Sequence, residues 1–321
     1  VLISYRVAKV LSTILFLVAP AFASVWVGYD GGLAQYTDDG DFVQRYEDYR
    51  RPVSLQLDAQ RGHLWFIDAY DYKLVCFDVA AGTALFFITD AAHTADITTS
   101  DIRIYLREKR PVEPSLALDA GDGGVWLADF YNHEIAKYSA EGKELFRTGA
   151  FHEPFAIAAL GDGSAWVAAG IRTLNLVGAD GKTELSQAGV NEARALAYDK
   201  ERELVWVADY RNNRVLGVTR RGQLKRKITR IELPSALAVD AARGIVWVAT
   251  HYAGILRISA DDEEITGAIA EPESISALTL DAEGRLWVAY DEDGEVIRYS
   301  PAGEREVVIK RVNTPTGIAA D

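Results

Sequence analysis

The chain of 321 residues holds five histidines, His63, His93, His133, His152 and His251, and no two have the i, i+4 spacing that presents a pair to zinc. A zinc site would have to gather ligands from distant segments, His152 and His251 with a third among them. The acids are more regular: Glu113, Glu153, Glu192, Glu232 and Glu273 each stand six to eight residues before a column of Asp. Carboxylates brought to one rim raise one another's pKa or recruit a cation. Tyr70, Tyr131, Tyr210 and Tyr252, flanked by His133, Arg211 and His251, offer large contact area with polar tips, which suits a protein or carbohydrate-like ligand. Cys76 is the only cysteine, so an intramolecular disulfide and a Cys-based metal site are excluded. No nucleophile elbow and no phosphate loop occurs. No catalytic residue is therefore nominated, and no cofactor or metal is identified. The candidate ligand-binding set is Tyr70, Glu113, Tyr131, His133, His152, Glu153, Tyr210, Arg211, His251 and Tyr252.

These residues are positioned by a repeat. All seven tryptophans, at 26, 65, 126, 166, 206, 247 and 287, sit in one apolar motif, with spacings of 39, 61, 40, 40, 41 and 40. A period near 40 marks an array of small units, none able to bury its apolar face alone. Six or seven residues before each Trp stands a column that reads Asp58, Asp119, Leu160, Asp199, Asp240 and Asp281, with Asp321 as the seventh. Ahead of it, large apolar residues (Leu55 to Ile318) alternate with small ones (Ser54, Ala156, Gly317), the period of two that means strand. A third and a fourth run follow each Trp motif, joined by Gly-bearing turns such as Asp39-Gly40 and Glu141-Gly142.

Each repeat is thus a four-stranded antiparallel blade, and the chain is expected to be a seven-bladed β-propeller, with six blades as the alternative count. The last residues, Thr316 to Asp321, form a first strand without a second, and the Trp strand from Val25 lacks a first. Pairing the two closes the ring and removes its free edges. The 61-residue spacing marks an insertion at about 91–111 in one blade-to-blade connection. Those connections share a face with the loops between second and third strands, and that face carries the candidate set. The Asp columns are expected to be structural, because one site does not need six copies; Asp68, Asp129 and Asp209 can each cap the loop that follows. The expected channel-side positions, Gln56, Ala117, Ala158, Ala197, Ala238, Thr279 and Ala319, cannot hold a divalent cation, which argues against an active site deep in the channel.

Residues 1–23 stand outside the ring. Arg6 and Lys9 precede an apolar run to Ala19, followed by Ala21-Phe22-Ala23, the pattern of a secretory signal peptide. The rest, 24–321, carries no membrane span, and a secreted or periplasmic monomer is expected. The net charge of −13 disfavours nucleic acid, whose phosphates need Lys and Arg. The one basic run, Arg220 to Arg230, is expected to solvate an outer hairpin.

Two segments carry a more specific likeness. Val125-Trp126-Leu127-Ala128-Asp129-Phe130-Tyr131-Asn132-His133 and Val205-Trp206-Val207-Ala208-Asp209-Tyr210-Arg211-Asn212-Asn213 resemble NHL repeats, in which a strand, Ala-Asp and a short Asn-containing loop lead to a third strand. The other repeats match in part, and the one around Trp166 carries Leu160 and Ala169 where the Asp columns stand elsewhere. The resemblance implies a propeller used as a binding platform. A metal-dependent lyase or hydrolase with a shallow site on the loop face is the alternative.

Overall fold

The computed structural model describes residues 24–89, 91, 114–270 and 275–321. Residues 1–23, where a leader is expected, nearly all of segment 91–111, and Glu113, Glu273 and His93 lie outside the described residues. Among the described residues twenty-eight strands, β1–β28 in chain order, form seven separate four-stranded antiparallel sheets. Blades 2 to 7 each use four consecutive strands. Blade 1 joins β28 (Pro315–Ala320), β1 (Ser24–Tyr29), β2 (Gly32–Thr37) and β3 (Phe42–Tyr46) in that order, with β28 paired to β1 from Val25↔Ala320 to Tyr29↔Pro315. The ring is closed as the termini predict, and the count is seven.

Seven hydrophobic clusters hold the ring, and each is a seam between neighbouring blades. Trp65 of blade 2 packs with Leu116, Val125, Leu127 and Tyr138 of blade 3. Trp166 of blade 4 packs with Val205, Val207 and Val218 of blade 5, and Trp287 of blade 7 with Val25, Val27 and Ile318 of blade 1. The pattern holds at every seam, and every Trp is essentially fully buried. A single blade exposes the indole that its neighbour covers, which is why the period must run through the whole chain.

The alanine column has a different reason from the one expected. Ala117, Ala158, Ala197, Ala238 and Ala319 lie directly opposite Trp126, Trp166, Trp206, Trp247 and Trp26 in the strand register. Ala117, Ala158, Ala238 and Ala319 are buried with those indoles in the seams, so at these positions a small side chain makes room for tryptophan and does not wall an open channel. Cys76, on β6 (Lys73–Asp78), is fully buried, and burial beside Asp58 and Asp78 pushes its thiol up to about 12.

Candidate functional site

Backbone hydrogen bonds knit each incoming connection to the turns between second and third strands. Arg211 N donates to Asn191 O at 3.0 Å, Ile231 N to Asn213 O at 3.0 Å and Ala69 N to Arg51 O at 2.9 Å. The described candidates therefore share one face, as the strand count requires. They do not form one group. Tyr70 is exposed beneath the guanidiniums of Arg50 and Arg51, 5.4 and 5.7 Å from its ring. His251 and Tyr252 make an exposed edge-to-face pair at 4.6 Å on blade 6.

His133, His152 and Glu153 do come together, where blade 3 hands over to blade 4. The two imidazoles stack at 4.6 Å with 18° between planes, and Glu153 N donates to His133 Nδ1 at 3.1 Å. His152 Nδ1 lies 3.7 Å from Glu153 Oε2. Tyr131 meets Phe130, which in turn meets Phe155, at 5.1 and 4.9 Å. A zinc ion lies in the plane of an imidazole that ligates it, about 2.0–2.1 Å from the nitrogen. Two nearly parallel rings cannot share one ion without one of them turning. Among the described residues no three His, Cys, Asp or Glu side chains gather as a metal site.

His133 has a scaffold role that blade 5 makes plain. Its φ is 58°, in the left-handed region, and Asn213 holds the equivalent place at 51°. Asn213 Oδ1 accepts from Leu233 N at 3.0 Å just as His133 Nδ1 accepts from Glu153 N. Both side chains pin the incoming connection. Replacing His133 by Asn keeps the acceptor and the tolerance for positive φ, so thermal melting should be unchanged within about 0.5 kcal/mol. His133→Ala should cost about 1–2 kcal/mol, because an N–H loses its partner and the backbone is strained. Equal melting of the two variants would contradict this role.

The Asp columns are structural, as expected. Asp58, Asp199, Asp240 and Asp281 accept the backbone N–H of Arg61, Arg202, Arg243 and Arg285 in their first hairpins, and Asp119 that of Gly121. Asp281 and Asp199 also accept the indole N–H of Trp287 and Trp206 at 3.0 and 3.3 Å. Asp129 caps the loop that follows it through Tyr131 N and Asn132 N, both at 3.2 Å. Asp68 and Asp209 instead hold the connection that precedes their blade, through Arg50 N, Arg51 N and Asn191 N.

A further feature of this face sits at the mouth of the ring. The innermost strands of six blades begin with a register shift of one residue, a bulge that re-aims a side chain. In blades 1, 2, 6 and 7 the bulge carries Thr316, Ser54, Ser235 and Ser276. Thr316 Oγ1 donates to Pro52 O of the next blade at 2.6 Å, Ser276 Oγ to Pro315 O at 2.7 Å, and Ser54 Oγ to Pro114 O at 2.5 Å. These hydroxyls are a belt around the mouth. Blades 4 and 5 depart from it, placing Phe155 and Arg194 at the bulge.

Arg194 stands in a charged cluster. The Glu192 carboxylate, about 5 % exposed, accepts Arg194 Nε at 3.0 Å on one oxygen and Arg211 Nε at 2.9 Å on the other. Both guanidiniums lie over the buried ring of Tyr210, at 3.9 and 4.9 Å. Asp209 beside them is matched by Arg214 at 2.6 Å. Two guanidiniums thus share the one Glu192 carboxylate, an arrangement suited to the planar fork of Arg. Phe155 and Arg194 were absent from the candidate set. Their signal was the column Val53, Pro114, Phe155, Arg194, Ser235, Ser276, Thr316, where one aromatic and one cation interrupt small or aliphatic residues.

The architecture defines a seven-bladed β-propeller. No family model matches the chain, and no curated protein matches it. Solved structures do. A protein of unknown function from Desulfotomaculum acetoxidans DSM 771 superposes with a TM-score of 0.73 at 12% identity, over 94% of this chain and 99% of that one. A streptogramin B lyase superposes at 0.66 with 15% identity, over 92% and 91% of the two chains. Apo AztD from Citrobacter koseri superposes at 0.62 with 12% identity, over 93% and 97%. At such identities the likeness is one of fold.

Proposed function

We propose that the protein is an NHL-like binding module of the cell envelope that engages a protein or carbohydrate-like ligand through its loop face, at the sector of blades 3 to 5. One observation carries this reading. The belt of hydroxyls at the mouth is replaced by Phe155 and Arg194 in adjacent blades, beside two separate groups of candidates, Tyr131, His133, His152 and Glu153 where blade 3 meets blade 4, and Tyr210 with Arg211 on blade 5. A scaffold role does not require that departure, because four other blades close the mouth with Ser or Thr. The alternative class, a metal-dependent lyase or hydrolase, draws on the fold shared with a streptogramin B lyase. The stacked geometry of His133 and His152 does not supply its ion site.

The double variant Phe155→Ser/Arg194→Ser restores the residue type of the other blades and should leave the fold intact. Wild-type protein is expected to retain a ligand from envelope extract that this variant releases, with at least a tenfold loss of affinity once the ligand is purified. Equal retention by both proteins would move the site elsewhere. The envelope location rests on residues 1–23 read as a leader. Protein recovered after export should then begin at Ser24 by intact mass, and retention of Arg6 and Lys9 would refute the leader.

A further inference from the structure

On the face opposite the loops, between blades 4 and 5, lies a pocket of about 460 Å³. That volume falls in the range of small-molecule sites. It is lined by the first hairpins of both blades and the outer hairpin of blade 5. The repeat fails here in two places. Leu160 replaces the Asp of the other first hairpins, and Tyr198 stands where Leu57, Leu118, Val239 and Leu280 stand in other blades. With Val205, these two make an apolar wall.

The opposite rim is polar and carries both signs, with Arg202, Arg220 and Arg221 beside Asp162 and Glu203. Arg220 crosses from blade 5 to Asp162 and to Ser164 Oγ, and also meets Glu184 at 3.4 Å. Arg202 is held by Asp199 at 3.4 Å and Asp261 at 2.7 Å. A charged ligand would have to compete with these partners. The hydroxyl of Tyr198 has no hydrogen-bond partner among the described residues. Burial raises its pKa, with Glu203 adding to the rise, so it remains a donor at neutral pH.

We propose that this pocket is a binding site for a neutral mono- or disaccharide. The ligand's CH face would lie on Leu160, Val205 and the Tyr198 ring, and its hydroxyls would bridge the paired guanidiniums and carboxylates of the rim, each hydroxyl both donating and accepting. The site is separate from the loop face and does not depend on the function proposed for it.

The test is saturation-transfer NMR and calorimetry on the whole protein with D-glucose, N-acetyl-D-glucosamine and cellobiose, beside citrate and L-arginine as charged probes. At least one neutral sugar should receive magnetisation at its ring CH protons. Tyr198→Leu, which restores the residue of blades 2, 3 and 7, should melt like the wild type and raise the sugar Kd at least fivefold. Leu160→Asp should also raise the sugar Kd at least fivefold, by making the apolar wall polar. Phe42→Ser, at an exposed position on the outer strand of blade 1, should leave the sugar signal unchanged. Absence of sugar binding, tighter binding of citrate or arginine, or a sugar signal lost in Phe42→Ser but not in Tyr198→Leu, would each overturn the proposal.

Discussion

Removing residues 315–321 is expected to abolish cooperative melting near the wild-type temperature. β28 pairs with β1 over five residue pairs and buries Ile318 in the seam of blades 7 and 1 and Ala319 in the seam of blades 1 and 2. The deletion also takes Pro315 O and Thr316 Oγ1 out of the belt at the mouth. Backbone bonds at about 1 kcal/mol each, with about 2–3 kcal/mol for Ile318, give a loss on the order of 5–10 kcal/mol, comparable with the whole stability of a domain. The truncated chain should expose the edge of β1 and bind a hydrophobic dye. A synthetic 315–321 peptide in large excess should restore part of the transition. A truncated protein that melts like the wild type would mean that the ring does not depend on its closure.

The second large effect concerns Lys137, which is about 1 % exposed and directly opposite Trp126 in the strand register. Its ammonium meets Asp119 Oδ2 at 2.9 Å and Asp122 Oδ2 at 2.8 Å, and lies 5.4 Å from the Trp126 ring. Lys137→Leu leaves the buried Asp119 carboxylate without its cation and should cost about 3–5 kcal/mol. In a domain of this size the melting temperature should fall by roughly 6–15 °C. Blade 4 shows the apolar solution to the same slot, with Leu176 opposite Trp166 and Leu160 in the Asp column. The double variant Asp119→Leu/Lys137→Leu should therefore recover at least half of the loss. If the double variant melts below the single one, the pair is not the source of the effect.

Lys137 also sets a direction with pH. Burial favours the neutral amine, but the hydrogen bonds that Lys137 donates to Asp122 and Asp119 outweigh it and raise the folded pKa above its ordinary value. A raised cation contributes stability that is fully present below the unfolded pKa, near 10.4, and is lost as pH rises through the folded value. Wild-type stability should decline above about pH 10.4 more steeply than that of the double variant.

The sequence showed the ring because its determinants are periodic. Tryptophan every 40 residues, small residues opposite it and Asp at the first hairpin are repeated by the packing of identical seams. The face of the site was legible for the same reason: strand order alone puts Tyr70, Tyr131, Tyr210 and Tyr252 with the connections. Which side chains meet was not legible. The stacking of His133 on His152, and of Arg194 on Tyr210, depends on Glu153 and Glu192 adopting positive φ and on one inserted residue in the inner strand. Neither leaves a periodic mark. The alanine column was read as channel wall because parity along a strand does not say which face packs against the neighbouring blade. Leu160 was visible as a broken column, but the pocket it borders requires Tyr198 and Arg220 from the next blade.

The pairing of β28 with β1 fixes an order of events in the cell. β1 is made first and its partner arrives 291 residues later. At about 5–20 residues per second the ribosome needs roughly 15–60 s to deliver it. For that interval blade 1 is a three-stranded fragment and the seam around Trp287 has no complete partner. A nascent chain cannot lock its ring during this interval, so closure waits until β28 has left the ribosome.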